Sequence, residues 1–153
     1  MATTSLIQFT AAGSAADTMN RQQVETFSAK EAITAGDWVA FDYAASADGD
    51  VTLGIYKADG NSSPVRTPMG VALESVATGQ LVRVCISGVC DALVGDNAGG
   101  GNAIGTLLQI TNTAGQVDLA SAGSAQPVCG VLAEVIAPAA GATIKRVVVR
   151  KSF

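Results

Sequence analysis

One phrase occurs twice in this chain. Gly70-Val71-Ala72-Leu73-Glu74-Ser75-Val76-Ala77 returns as Gly130-Val131-Leu132-Ala133-Glu134-Val135-Ile136-Ala137, with Gly, Val, Glu and Ala at matching offsets. Each copy is followed by a glycine, Gly79 or Gly141, and then by a run rich in β-branched residues, Leu81–Ile86 or Thr143–Val149. A repeat of this size marks a duplicated β unit. It points to a scaffold or assembly module rather than to a single catalytic pocket.

The segments before each phrase support the same reading. Trp38-Val39-Ala40-Phe41-Asp42-Tyr43 reads as a strand with Val39, Phe41 and Tyr43 on one face. Gly105-Thr106-Leu107-Leu108-Gln109-Ile110 resembles Gly36-Asp37-Trp38-Val39-Ala40-Phe41. Ala47-Asp48-Gly49-Asp50 has the chemistry of a hairpin turn. Val51, Leu53 and Ile55 then alternate with the period of a half-buried strand. Thr113-Ala114-Gly115-Gln116 is a second turn, followed by the short alternating segment Val117-Asp118-Leu119. The expected class is all-β, a small barrel or sandwich built from two duplicated β units. The expected division is an extended N-terminal arm over 1–21, a first unit over 22–94, a Gly-rich linker over 95–103 and a second unit over 104–153.

Within the phrase, Gly70 and Gly130 suit a close backbone approach, and Val71 and Val131 are expected to point into a core. Glu74 and Glu134 are expected to face solvent or to accept backbone N–H bonds at a chain reversal, with a repeated contact to a basic partner as the alternative. Cys129 aligns with Met69, as a core filler would.

Composition narrows the function. Charged residues make up 14% and aromatics 5% of a chain that is 48% hydrophobic, a balance that suits extensive buried or docked surface. The net charge of −4 argues against a nucleic-acid partner. Lys145, Arg146, Arg150 and Lys151 gather at the C-terminal end, either as a charged edge strand that discourages aggregation or as a basic rim for an acidic partner surface. In the arm, Leu6, Ile7 and Phe9 are the sizeable apolar side chains, and they are candidates for ordering against a partner. Trp38, the single tryptophan, is a candidate core residue or interface anchor.

No catalytic signature emerges, so no enzyme activity is expected. The chain has no histidine, which excludes His-based nucleophilic triads and His-ligated metal sites. Gly99-Gly100-Gly101 lacks the Lys-Ser/Thr ending of a phosphate loop and reads as linker. Asp48, Asp50, Asp59 and Asn61 do not match a calcium loop and read as turn chemistry. No cofactor or metal is expected. Three cysteines, Cys85, Cys90 and Cys129, form no paired set, consistent with free thiols. No basic leader with an apolar core opens the chain, and no run is apolar and long enough to span a membrane, so synthesis and assembly in a cytoplasm are expected.

Glu31-Ala32-Ile33-Thr34-Ala35-Gly36-Asp37-Trp38-Val39-Ala40 resembles the "E-A-I-x-A-G-D-x-V" opening of the small capsid decoration, or cement, proteins of tailed bacteriophages. Pro68-Met69-Gly70-Val71-Ala72 resembles that family's "P-x-G-V-A" phrase. Pro127-Val128-Cys129-Gly130-Val131 resembles it too, with one extra residue before the glycine and Leu132 in place of the final alanine. The resemblance covers about residues 24–150. It implies a non-enzymatic virion protein with a compact β-fold, a homotrimer that binds the major capsid protein on the outer surface of the assembled head and reinforces contacts between capsid subunits. The rival expectation is a head-fibre or host-surface module that binds carbohydrate, for which Trp38, Tyr43 and Tyr56 would be the stacking residues.

Overall fold

The computed structural model describes residues 22–42, 53–62, 65–95, 103–120, 127–136 and 141–150. Over these residues the chain forms nine strands: β1 (Gln23–Ala29), β2 (Trp38–Phe41), β3 (Gly54–Lys57), β4 (Gly70–Ala72), β5 (Leu81–Val94), β6 (Leu107–Ile110), β7 (Val117–Leu119), β8 (Val128–Leu132) and β9 (Thr143–Val149). The expected all-β class holds. The expected arm, the Ala47–Asp50 turn, Tyr43, the Gly99–Gly101 run and Lys151 lie outside the described residues.

The pairings close twice. β1 pairs with β3 in parallel and with β5 antiparallel, while β3, β2, β4 and β5 pair in succession, all antiparallel. This is a ring of five strands. In the second ring β5 pairs with β7 in parallel and with β9 antiparallel, while β7, β6, β8 and β9 pair in succession, again antiparallel. The second half of β5 therefore plays the part in the second barrel that β1 plays in the first. Closure removes the free sheet edges that would otherwise invite aggregation.

The long β5 can serve both barrels because of one glycine. Its residues up to Ser87 pair with β1, and from Gly88 onward they pair with β9. Gly88 has φ of 109°, a conformation that a side chain would strain, and the β1–β5 register shifts just before it, with Ile86 skipped between Cys85 and Ser87. The second barrel thus takes its first strand from sequence that precedes the Gly-rich segment. The C-terminal strand is no edge: β9 lies between β5 and β8. Its Lys145 and Arg146 instead meet carboxylates, Glu134 at 3.0 Å and Asp91 at 3.5 Å.

Each barrel holds its own apolar filling. Phe27, Ala29, Val39, Ile55, Met69, Ala72, Val82, Val84 and Ile86 cluster in the first, with Phe41 packed edge-on against Phe27. Leu108, Ile110, Val117, Cys129, Leu132 and Val147 belong to the cluster of the second, which also takes in Trp38, Ala40, Val71 and Cys85 from the first. Cys129 and Met69 are both buried, as core fillers should be. Leu53 departs from its expected place: it is 58% exposed just before β3, while Ile55 is fully buried. The run of alternation before Ile55 does not continue as strand at Leu53 because β3 begins at Gly54.

Candidate functional site

The duplicated phrase builds the same local device in both barrels. Gly70 and Gly130 lie where backbone is close: a Cβ on Gly70 would stand 2.6 Å from the Cys85 carbonyl oxygen, and one on Gly130 would stand 3.0 Å from the Val148 carbonyl oxygen. The next residue but three is the glutamate. Glu74 accepts a 2.9 Å hydrogen bond from the Arg83 backbone N–H, and a second, at 3.3 Å, from the Arg83 guanidinium. Glu134 accepts one from the Lys145 ammonium at 3.0 Å and one from the Arg146 backbone N–H at 3.2 Å. The Arg83 backbone N–H and then its guanidinium hold the Glu74 carboxyl below its ordinary range. The Lys145 ammonium, then the Arg146 N–H, do the same for Glu134. Both glutamates accept a backbone N–H and also meet solvent, with side chains 38% exposed at Glu74 and 51% at Glu134.

The second family-like phrase is also structural. Glu31 accepts the Lys57 backbone N–H at 2.6 Å. Buried Asp37 accepts the Thr34 N–H at 2.8 Å and pairs with the Lys57 ammonium at 3.0 Å. Ile33 forms a bridge to Val76, inside the first copy of the repeated phrase. These residues tie the β1–β2 connection to β3 and β4.

Trp38 anchors the joint between barrels. Its side chain is fully buried, and its ring edge lies 3.0 Å from where a Gly130 Cβ would be, within the second barrel. Around it the backbones interlock. The Trp38 N–H donates to Gly115 O, the Gly115 N–H to Ala58 O, the Gly60 N–H to Thr111 O and the Leu93 N–H to Gly36 O, at 2.7–2.9 Å. The Trp38 indole nitrogen has no hydrogen-bond partner among the described residues. Leaving that N–H unmet costs roughly 1–3 kcal/mol, but burying an indole removes ~150–250 Å² from water, worth roughly 4–6 kcal/mol at most. Burial wins, and Trp38 is an anchor within the chain rather than an exposed platform for a sugar. Tyr56 is half-buried, with one ring face covered by the Arg66 guanidinium 4.0 Å away.

Aligning the two barrels by register reveals the surface feature that sequence reasoning missed. In the first barrel, Trp38, Val71, Cys85 and Val24 are successive cross-strand neighbours on β2, β4, β5 and β1. In the second, Leu107, Val131, Val148 and Val89 hold the same places on β6, β8, β9 and β5. Trp38, Val71 and Cys85 are fully buried under the second barrel. Leu107 is 42% exposed, and Val131, Val148 and Val89 are half-buried. Val71 thus points into the inter-barrel core, as expected of a core residue, whereas Val131 does not.

A groove of about 650 Å³ adjoins Val89 at the joint, lined by Gln22, Ala72, Leu73, Cys90, Ile144 and Arg146 among others. Cys90 lies next to Cys85, which together with burial pushes its thiol up. All three cysteines are free and buried. Among the described residues no cluster of three His, Cys, Asp or Glu side chains is placed to hold a metal ion, and no helix is long and apolar enough to cross a membrane. Of the residues singled out from sequence, Lys145 and Arg146 sit together on β9, Arg150 follows it in an exposed position, and Trp38 is remote from solvent. Leu6, Ile7 and Phe9 lie outside the described residues.

The fold defines the class: a tandem of two five-stranded barrels that share one strand. No family model matches the chain, and no curated protein does. Among solved structures, it is similar to the N base of the head fiber protein gp8.5 of bacteriophage phi29, with a TM-score of 0.54 and 18% identity, over 86% of this chain and 96% of that one. At that identity the likeness is one of fold.

Proposed function

We propose that this chain is a structural protein of a tailed-phage virion, bound to the outside of the head. The observation that carries the reading is the shared fold: the tandem barrel corresponds to nearly the whole of a head-fibre base. The phrases that resemble phage cement proteins support it independently, because they occupy the structural joints of that same fold. The specific role is to clamp neighbouring major capsid subunits as a homotrimer, without a cofactor, a nucleic-acid partner or an enzymatic step. Many copies of a modest interface across a lattice supply avidity in place of individual affinity. Leu6, Ile7 and Phe9, with Arg150 and Lys151, are the contacts assigned to the capsid.

The second reading, a base that carries a head fibre, is favoured by the nature of the structural neighbour. Both readings require binding to heads. Co-sedimentation of the purified chain with undecorated heads tests that common requirement, and a chain that stays in the supernatant overturns both. Heating decorated and bare heads then separates them. A cement protein raises the temperature at which heads release their genome, whereas a fibre base leaves it unchanged.

A further inference from the structure

We infer that Cys85 and Cys90 form a redox site at the joint of the two barrels: a dithiol that hydrogen peroxide, entering through the groove beside Val89, converts to a disulfide across the bend of β5.

Three observations lead there. First, the bend turns the two thiols to the same side. Residues five apart in a regular strand point to opposite faces. In β5, Val82, Val84 and Ile86 fill the first barrel, whereas Cys90, Ala92 and Val94 belong to the cluster centred on the second. Cys85 belongs to that second cluster as well. The same core is thus met by an odd-numbered residue before the bend and by even-numbered ones after it. The extra residue at Ile86 and the positive φ of Gly88 produce the change of phase.

Second, the sulfurs meet. The Cys85 thiol donates to the Ser87 carbonyl oxygen at 3.5 Å, and the Cys90 thiol hydrogen-bonds to the Cys85 sulfur. That bond holds Cys85 below the ordinary thiol value and, with burial, pushes Cys90 up. Cys129 donates instead to the Leu108 carbonyl oxygen, at 3.4 Å.

Third, the pair has an approach from solvent. Cys90 lines the groove together with Val89 and Ile144, although it is itself only 5% exposed, and Cys85 is fully buried. Buried thiols without an approach are inert. A peroxide is small enough to reach a sulfur at the wall of this groove, and Cys129 is not part of that wall.

The chemistry balances in two steps. Loss of one proton from the pair leaves a hydrogen bond between a thiol and a thiolate, across which the remaining proton moves to put the charge on Cys90. The Cys90 thiolate attacks one peroxide oxygen. An S–O bond forms, the O–O bond breaks, and hydroxide departs and regains the lost proton, leaving a sulfenic acid. The Cys85 sulfur then attacks the Cys90 sulfur. An S–S bond forms, the S–O bond breaks, and the Cys85 proton leaves with the hydroxyl group as water. Two thiols are oxidised to one disulfide and one peroxide is reduced to two waters. The new bond pins the bend that lets one strand serve both barrels. Its use rests on the virion reading: the pair stays reduced during assembly in a cytoplasm and closes when particles meet an oxidising medium.

The test treats the folded, full-length chain with hydrogen peroxide, quenches it, unfolds it and labels the remaining thiols with iodoacetamide for mass spectrometry. The expected product has lost two hydrogens and carries a label only at Cys129, with the pair consumed at least tenfold faster than Cys129. Dithiothreitol added before unfolding should restore labelling at all three cysteines. Cys129→Ala should show the same hydrogen loss at the unaltered rate, and Cys90→Ala should show none. Where Cys90→Ala does not fold, Cys85→Ala serves: Cys90 should then gain oxygen without closing a bond. Labelling of all three cysteines in the treated chain overturns the inference. So does oxygen addition at Cys90 of the unaltered chain without hydrogen loss, a link that includes Cys129, or a hydrogen loss that persists in Cys90→Ala or Cys85→Ala. No heads enter this experiment, so a failure to bind heads leaves its result standing and tells against the virion reading alone.

Discussion

The two barrels share strand order, register and even the glutamate of the repeated phrase, yet three of four equivalent positions, Trp38, Val71 and Cys85, are sealed in the first barrel, while Leu107, Val131 and Val148 are partly open in the second. Trp38 and Leu107 hold equivalent places, each paired with the valine of its own repeat. One is fully buried and the other 42% exposed. Duplication therefore copied a fold but not its surroundings. The first copy is packed against the second, and the second is left facing outward. Large side chains follow the burial: the single tryptophan of the chain stands where there is a neighbour to receive it.

Substitutions at that pair of positions break the comparison most sharply. Trp38→Ala should cost about 3–5 kcal/mol, because it opens a cavity at the joint that the interlocked backbones keep from collapsing. Leu107→Ala should cost under about 1 kcal/mol in the dissociated chain, since much of that side chain already meets water. Urea denaturation of both variants checks the ratio. Trp38→Phe should retain most of the stability, as the indole N–H it removes has no partner. Equal losses at positions 38 and 107 would mean that the joint is not the anchored interface described.

The paired glycines come next. Gly70→Ala and Gly130→Ala should each destabilise by roughly 1–3 kcal/mol, because the added methyl meets atoms that are fixed by strand pairing. Gly70→Ala should be the worse of the two, since its Cβ would meet the Cys85 carbonyl oxygen at 2.6 Å whereas that of Gly130 meets its nearest atoms at 3.0 Å. In Gly130→Ala one of those atoms belongs to the Trp38 ring, so Trp38→Phe should partly rescue it. Thermal midpoints of the two singles and the double variant read this out.

A smaller effect distinguishes the two glutamates. Both are held below the ordinary carboxylate range in the folded chain. The stability each contributes is therefore complete above the unfolded-state value and is lost as pH falls through the folded-state value. Glu74→Gln and Glu134→Gln should each flatten the decline in urea midpoint between about pH 7 and about pH 3. Salt should weaken the Glu134 contribution more, because its leading partner is an ammonium group, whereas Glu74 relies first on a backbone N–H. The least perturbing comparison uses the thiols. Burial pushes Cys129 up to about 12, so it should resist iodoacetamide at about pH 8 until the second barrel unfolds, as mass spectrometry of labelled samples would show.

Much of this architecture was legible in the sequence. Local chemistry writes itself into local pattern: the doubled Gly-Val phrase, the turns at Gly36 and Gly115, and the alternation of Val117 and Leu119 all specify strands and reversals within a few residues. The resemblance between the segments starting at Gly36 and Gly105 even carries the correct register, since Trp38 and Leu107 prove equivalent. The candidate surface was not legible, because its four residues come from four strands spread over Val89 to Val148 and only pairing brings them together. The edge-strand reading of the basic cluster failed for a related reason, since β9 is paired on both sides. Lys145 and Arg146 stand next to each other in sequence, but their carboxylate partners, Glu134 and Asp91, arrive from the turn after β8 and from β5 respectively.

What the sequence by itself determined is the duplicated β unit, its turns and its lack of His-based catalytic machinery, since these depend on residue type and short spacing. Only the tertiary structure decided that one long strand serves both barrels, bent at Gly88, and that Trp38 is enclosed while Leu107 is not. The physical reason is that burial is a property of what lies opposite a residue, and in a closed barrel the opposing atoms are supplied by chain far away in sequence.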